Sequence, residues 1–198
     1  MTYCLRLCLL AKRPENRLSF IHIYPLQTIL AEEFQALMSP MNHVIDLQIA
    51  CDKPLPVSED QLIAWVNCAL NEHQQERELT LRLVESAEIS ALNHTYRQKE
   101  GPTNVLAFPS DLPEHIDLDC SFLGDVIVCP EVLEKEAQEQ ERPLDAHWAH
   151  IVIHGVLHLL GYDHYEDADT ANMQGMEIRL LAGLGFPNPY QHEGQHLE

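Results

Sequence analysis

The pattern of hydrophobic and polar positions predicts four strands. Residues 42–50 alternate apolar and polar side chains, as a half-buried strand does, and residues 78–84 repeat the alternation with leucines facing inward. A short strand is expected within Pro102–Pro109, and another over residues 122–129. Because proline donates no ladder hydrogen bond, the strand between the two prolines is predicted to lie at a sheet edge.

Helical periodicity predicts five helices interleaved with these strands. The first begins after Ser58, which is expected to cap it, with Gln61 completing a capping box. The other four are expected over residues 86–96, 130–140, about 144–160 and about 167–184. With residues 111–120 as a loop, this order predicts a single α+β or α/β domain with a sheet of about four strands.

Charge separates the first 40 residues from the rest. They contain four basic and three acidic side chains, so a formal charge of −19 for the whole chain leaves −20 on the other 158 residues. Met41 stands directly before the first predicted strand. We therefore predict that residues 1–41 are an extension outside the domain, or the product of an upstream start codon. Residues 42–186 are then the domain, and residues 187–198 a polar tail that frays from Asn188 onward.

Composition favours a cytoplasmic protein without a membrane partner. The chain is 45% hydrophobic and 22% charged. No stretch approaches the 18 consecutive apolar residues that a membrane-spanning helix needs. Six scattered cysteines without a C-x-x-C pair are typical of reduced thiols. The acidity opposes non-specific binding to polyanions, so any nucleic-acid site would need a locally basic cleft or a metal ion.

Three histidines between residues 154 and 164 have a spacing that suits one metal ion. On a helix, His154 and His158 differ by about 40° in azimuth and lie roughly 6 Å apart along the axis, so their imidazoles can converge. Gly161 can adopt the left-handed conformation that ends a helix, which lets His164 supply a third nitrogen. Three imidazoles with one open position are typical of catalytic zinc. We predict one Zn²⁺ at this site; the alternative is ordinary histidines on a buried helix.

The same segment can be compared with H-E-x-x-H-x-x-G-x-x-H, the metzincin protease signature. The three histidines and the glycine stand at identical spacing, but Gly155 replaces the glutamate that serves as general base. The pattern therefore argues against peptide hydrolysis by the usual route. His147 and His150 face roughly the same way but lie too far from His158 along the axis to share its ion, so we expect them to support or line the cleft.

Two further motifs accompany the histidines. They are Asn93-x-x-Tyr96-Arg97-x-Lys99-x-x-Pro102-Thr103-Asn104-Val105-Leu106-x-Phe108-Pro109 and Leu123-Gly124-Asp125-Val126. With them, residues 42 to about 186 closely resemble the YbeY family of bacterial metallo-endoribonucleases. Family members often carry serine where this chain has Ala107, which bears only on a hydroxyl role at that position.

The resemblance implies a single-strand-specific endoribonuclease that acts in 3′-end maturation of small-subunit rRNA and in ribosome quality control. It implies an α+β fold in which a mixed sheet packs with helices and a central helix carries the metal site. It also implies zinc on the three histidines and a functional arginine at Arg97. The expected partners are single-stranded RNA or rRNA and the ribosome or its small subunit; binding to DNA is not expected.

Other side chains have expected roles beside the metal. Arg97 is expected to clamp a phosphate bidentately, with Lys99 beside it; the alternative for Arg97 is a surface salt bridge. Thr103 and Asn104 are expected to contact substrate. Asp163 is expected to orient a ligand imidazole, to act as a base, or simply to form a turn.

Two other functions stay open from the sequence. One is a metalloprotease with an unusual base. The other is a ribosome-associated binding factor with structural zinc, although structural sites are closed and usually contain cysteine.

Overall fold

The computed structural model describes residues 43–72, 75–110 and 121–191. The expected extension 1–41 and the expected loop 111–120 lie outside these ranges. Within them the chain forms four strands and five helices, in close agreement with the bounds predicted from the sequence. In chain order they are β1 (Val44–Ala50), α1 (Glu59–Leu70), β2 (Arg77–Val84), α2 (Ser86–Arg97), β3 (Val105–Pro109), β4 (Ser121–Val128), α3 (Pro130–Glu139), α4 (Leu144–Leu159) and α5 (Asp167–Gly183).

The strands form one mixed sheet in the order β1-β2-β4-β3. β2 runs parallel to both β1 and β4, whereas β3 pairs antiparallel with β4. The strand between the two prolines therefore lies at an edge, as predicted. The predicted capping box is also present, because Ser58 and Gln61 exchange hydrogen bonds at the start of α1. The α+β fold with a mixed four-stranded sheet is confirmed.

Helix α4 is the central element of the larger core. Eleven of its sixteen residues are buried, as expected for a helix that is apolar on nearly all sides. It packs against α1, α3, α5, β3 and β4. A smaller cluster lies on α2, where Ile89 packs with Leu106 and Ile127 of the sheet. The helix that carries His154 and His158 is therefore central, as predicted, whereas a metal ion on it stays a prediction.

Gly155 marks the closest approach between α4 and the sheet. A Cβ atom at this position would lie 2.6 Å from Cγ1 of Val126 and 3.1 Å from Cγ2 of Val105. Position 155 therefore faces β3 and β4. A glutamate here, as in the protease signature, would have to enter the packed interface between helix and sheet.

The tail prediction is wrong for its first residues. Tyr190 is half-buried, and its hydroxyl donates a hydrogen bond to Glu177 of α5. Residues 192–198 lie outside the described part of the chain. Among the helices that the structure describes, none is long and apolar enough to cross a membrane.

Candidate active site

A cleft of about 860 Å³ lies between the edge strand β3, the end of α2 and the end of α4. It contains most of the residues singled out from the sequence. Its lining residues are Tyr96, Arg97, Lys99, Asn104, Val105, Ala107, Phe108, Pro109, His154, His158, Gly161, Tyr162, Asp163, His164 and Tyr165.

The three histidines converge at the floor of this cleft. One ligand-type nitrogen from each of His154, His158 and His164 lies within 4.8 Å of the others. Helix α4 ends just before Gly161, whose φ of +89° is left-handed. The N–H of Tyr162 then donates to the carbonyl oxygen of Leu157 at 3.0 Å, which closes the turn. The helix-ending glycine and the return of the third imidazole are as predicted.

Hydrogen bonds determine which nitrogens of two rings face the cleft. His154 Nδ1 lies 2.8 Å from Oε1 of Glu177, and His158 Nδ1 lies 3.0 Å from the carbonyl oxygen of Tyr162. A carboxylate and a carbonyl oxygen only accept hydrogen bonds, so each Nδ1 carries the proton. In the neutral rings, the lone pairs then sit on Nε2. These two Nε2 atoms are 3.1 Å apart.

This donor set fits a cation such as zinc. Two nitrogens at about 2.0–2.1 Å from a tetrahedral ion are separated by about 3.3 Å. Two neutral rings that both present lone pairs cannot hydrogen-bond to each other. Burial, followed by the neighbouring charges of His154 and His164, lowers the pKa of His158 to about 4, which disfavours a bridging proton. The side chain of His164 is 54% exposed, so the group is open toward the cleft.

Glu177 is a site residue that the sequence did not reveal. Its side chain is 1% exposed, and it accepts hydrogen bonds from His154 and Tyr190. Burial raises the pKa of Glu177, but the nearby ring of His150, with Nε2 3.6 Å from Oε1, and the hydrogen bonds from His154 and Tyr190 outweigh that effect and lower it to about 2. Glu177 stands thirteen residues after His164 on another helix, so no local spacing could point to it.

His150, His154 and Glu177 also have ligand-type atoms close together, which raises the question of a second ion. His154 Nδ1 and the Glu177 carboxylate are already joined by a 2.8 Å hydrogen bond. His150 Nε2 lies 3.3 Å from the Tyr190 hydroxyl oxygen, farther along the same hydrogen-bonded chain. These contacts identify a hydrogen-bond network behind the first group, which agrees with the supporting role expected for His150.

Arg97 and Lys99 both line the cleft. Gln98 ends α2 in a left-handed conformation, and the Asn93 side chain donates to the Gly101 carbonyl at 2.9 Å, which holds the returning loop. Across the described ranges, neither cation forms an ion pair. The salt-bridge alternative for Arg97 is therefore not observed.

The rings of Tyr96 and Phe108 form the wall of the cleft beside Arg97. Neither ring was predicted from the sequence to belong to the site. Tyr96 packs edge-to-face on Phe108, with ring centroids 4.9 Å apart. Tyr96 is nevertheless 65% exposed, so the rest of its ring faces solvent in the cleft. The Tyr-Arg pair of the sequence motif was the available indication for Tyr96.

Of the residues predicted to contact substrate, Thr103 lies outside the lining of the cleft. Its hydroxyl lies 3.5 Å from Oδ1 of Asn104. Asn104 lines the cleft, but its side chain accepts from the N–H of Val105 at 2.7 Å and donates to Glu136 at 3.1 Å. Glu136 also contacts His147 Nε2 at 2.9 Å, which gives His147 a supporting role.

Asp163 is next to His164, and its carboxylate contacts the backbone of its neighbour. Its Oδ1 accepts the N–H of His164 at 2.7 Å, whereas the ring Nδ1 of His164 is 4.0 Å away. The second distance exceeds a hydrogen bond. Of the three expected roles of Asp163, the geometry favours the turn.

Comparisons with known proteins relate the chain to one family. Residues 48–185 match the family model described as endoribonuclease YbeY. Proteins described as endoribonuclease YbeY from the Corby and Lens strains of Legionella pneumophila are 53% identical over 158 residues, covering 80% of this chain and 100% of each relative. A Thermotoga maritima protein of known solution structure is 28% identical, covering 70% of this chain and 87% of its own, with a TM-score of 0.48.

Proposed function

Because the chain belongs to the endoribonuclease YbeY family, we propose that it cuts single-stranded RNA with one zinc ion held by His154, His158 and His164. Family membership makes the protein a hydrolase with RNA as its substrate. The observation that carries the metal proposal is the pair of Nε2 atoms 3.1 Å apart, with both Nδ1 atoms engaged by acceptors.

Each group of the cleft has a chemical part in this proposal. A zinc ion at the three imidazoles supplies Lewis acidity toward water and a phosphoryl oxygen. Arg97 binds the scissile phosphate, because its guanidinium is planar, charged and without a carboxylate partner in the part of the chain that the structure describes. Lys99 binds a neighbouring phosphate as a point charge. Together they stabilise the negative charge that grows on the phosphate in the transition state.

The aromatic wall supports a preference for single strands. Bases that are free of a duplex can stack on exposed aromatic rings, whereas paired bases present only their edges. Tyr96 adjoins Arg97 in the chain and is 65% exposed. A base next to the bound phosphate can therefore stack on the Tyr96 ring. DNA has no 2′-hydroxyl for such a site to recognise, and we do not propose it as a substrate.

The biological setting follows from the family resemblance of the sequence motifs. We propose that the target is the 3′ end of small-subunit rRNA, on or near the ribosome, in maturation and quality control. The cytoplasm is the proposed compartment, consistent with free thiols at Cys51, Cys68 and Cys129. The proposed catalytic domain is residues 42–186, supported by the family match over 48–185, with residues 1–41 as an extension outside it.

Metal analysis and RNA cleavage on the same protein samples test the proposal. The wild type is expected to contain one zinc ion per chain and to cut a single-stranded RNA but not its duplex. His158→Ala is expected to lose both metal and cleavage. Arg97→Ala is expected to keep the metal and lose cleavage, and Arg97→Lys separates the bidentate contact from charge alone.

Other outcomes of this assay contradict the proposal. Unchanged RNA turnover in Arg97→Ala would reject the role of Arg97. Wild-type protein that binds ribosomes but never cuts RNA at any metal loading would support a binding factor. Cleavage of casein would support a protease, although Gly155 supplies no carboxylate at the position where that signature has its base.

A further inference from the structure

We propose that Tyr190 is a positioning residue of the metal site, acting through Glu177 on the tautomer of His154. Tyr190 lies beyond the last helix, 26 residues after His164, and is not among the residues that line the cleft. The inference rests on the proposed metal site and adds a residue to its support.

The hydrogen bonds between His150 and His154 converge on the Glu177 carboxylate from both sides. The Tyr190 hydroxyl has one proton, and it donates that proton to Oε2 of Glu177. The Tyr190 oxygen can then only accept from His150, whose Nε2 lies 3.3 Å away. His150 Nδ1 has no hydrogen-bond partner among the described residues, which agrees with a neutral ring protonated on Nε2. The contacts therefore form one consistent set of donors and acceptors.

The second carboxylate oxygen completes the chain at the metal group. Oε1 of Glu177 accepts from His154 Nδ1 at 2.8 Å. With that nitrogen protonated, the lone pair of neutral His154 must be on Nε2, which faces His158. Tyr190 holds Oε2 and thereby fixes the rotation of the carboxylate, so that Oε1 stays directed at His154. Orienting contacts of this kind change metal affinity by roughly 10-fold to 100-fold.

Local structure anchors Tyr190 in this position. Gly185 turns the chain out of α5 with φ of +84°, and Phe186 packs edge-to-face on Trp65 at 6.3 Å. The N–H of Tyr190 donates to Oδ1 of Asn188 at 2.8 Å, and its ring meets His150 edge-to-face at 5.6 Å. The ring contact does not need the hydroxyl. Tyr190→Phe therefore removes the proposed function of the side chain while retaining its packing.

A double-mutant cycle on zinc affinity tests the inference. The metal-free full-length chain is titrated with zinc in competition with a chromophoric chelator, without RNA. Tyr190→Phe is expected to weaken zinc binding by about 10-fold, and Glu177→Gln by about 10-fold to 100-fold. Because Tyr190 acts through Glu177, the double variant is expected to bind no more weakly than Glu177→Gln alone.

Nitrogen-15 NMR of the histidine side chains in the metal-free protein gives a second readout. His154 is expected to carry its proton on Nδ1 in the wild type and to show a mixture of tautomers in Tyr190→Phe. Ser58→Ala is the control, because losing the cap of α1 destabilises the fold but should change neither zinc affinity nor tautomer.

The outcomes are distinguishable from those of the proposed function. Additive losses in the cycle, or an unchanged His154 tautomer in Tyr190→Phe, would overturn the role of Tyr190 even if zinc binds. If the wild type binds no zinc, the proposed metal site fails, whereas the tautomer measurement still decides whether Tyr190 acts on His154. Loss of zinc binding in the Ser58→Ala control would show that general destabilisation accounts for the effect, and would also reject the inference.

Discussion

Replacing Gly155 by alanine measures how closely the histidine helix is packed on the sheet. Alanine favours a helix over glycine by about 1 kcal/mol, so propensity alone would stabilise the variant. The added Cβ would, however, stand 2.6 Å from Val126 Cγ1, where ordinary contact begins at 3.4 Å, so helix or valine must yield by about 0.8 Å. Val126 is fully buried and cannot turn into solvent.

The two effects have opposite signs, and their sizes decide the outcome. Overpacking of this kind costs about 1–3 kcal/mol, which exceeds the gain from propensity, so Gly155→Ala is expected to lose roughly 1 kcal/mol net. Gly175 provides the matched control, because it lies within α5, is exposed, and a Cβ added there would meet no atom within 4 Å. Gly175→Ala is expected to gain about 0.5–1 kcal/mol.

Urea denaturation of the metal-free proteins is the suitable assay, since bound metal would add its own stabilisation by mass action. The difference between the two variants cancels helix propensity and leaves the packing cost at position 155. Equal stabilisation of both variants would refute the close approach of α4 to β3 and β4. It would also remove the steric reason why a glutamate cannot stand beside His154.

Three other perturbations test the site. The unfolding free energy of the metal-free protein should fall as the pH drops from 6.5 toward 4. The fold lowers the pKa of His158 from its usual 6.5 to about 4, so protonation in this range favours the unfolded chain. The lowered pKa of Glu177 should cause a second loss of unfolding free energy from pH 4.5 toward 2. When the unfolding free energy is measured by chemical denaturation at each pH, His158→Gln should reduce the loss between pH 6.5 and 4. Asp163→Asn should retain most cleavage, because an amide oxygen can still accept the His164 N–H; abolished cleavage with metal retained would instead identify Asp163 as the base. Tyr96→Leu should raise KM for single-stranded RNA roughly fivefold to a hundredfold, since a stacked base contributes about 1–3 kcal/mol; an unchanged KM would remove the stacking role.

Local patterns in the sequence were enough to predict the elements and the convergence of the histidines. Helical spacing set His154 beside His158, and the only backbone event needed to bring in His164 was the left-handed turn at Gly161. The two prolines likewise predicted the edge position of β3, because a missing N–H is tolerated there. Each of these predictions depends on neighbours within about ten residues.

The support of the site could not be predicted in the same way. Glu177 and Tyr190 reach His154 through the packing of α5 on α4, which no local period encodes. The polar composition after Asn188 predicts a frayed tail, yet a hydrogen bond from the Tyr190 hydroxyl to the buried Glu177 carboxylate holds this part of the chain in place. Asn104 was expected to contact substrate because it is polar and near the cleft. Its amide contacts Glu136 and the Val105 backbone in the structure, and a contact with substrate stays a prediction.

The acidity of the domain is compatible with RNA as substrate once charge is considered at the scale of the cleft. Among the lining residues that the structure describes, Arg97 and Lys99 are positive and Asp163 is the one carboxylate, which contrasts with the −19 of the whole chain. Exposed charges more than about 8 Å away are largely screened at physiological salt. A phosphate inside the cleft therefore meets the two cations among the described lining residues. The net acidity of the chain opposes general binding of nucleic acid, and the two cations make the cleft the part of the described structure where an RNA phosphate can be held.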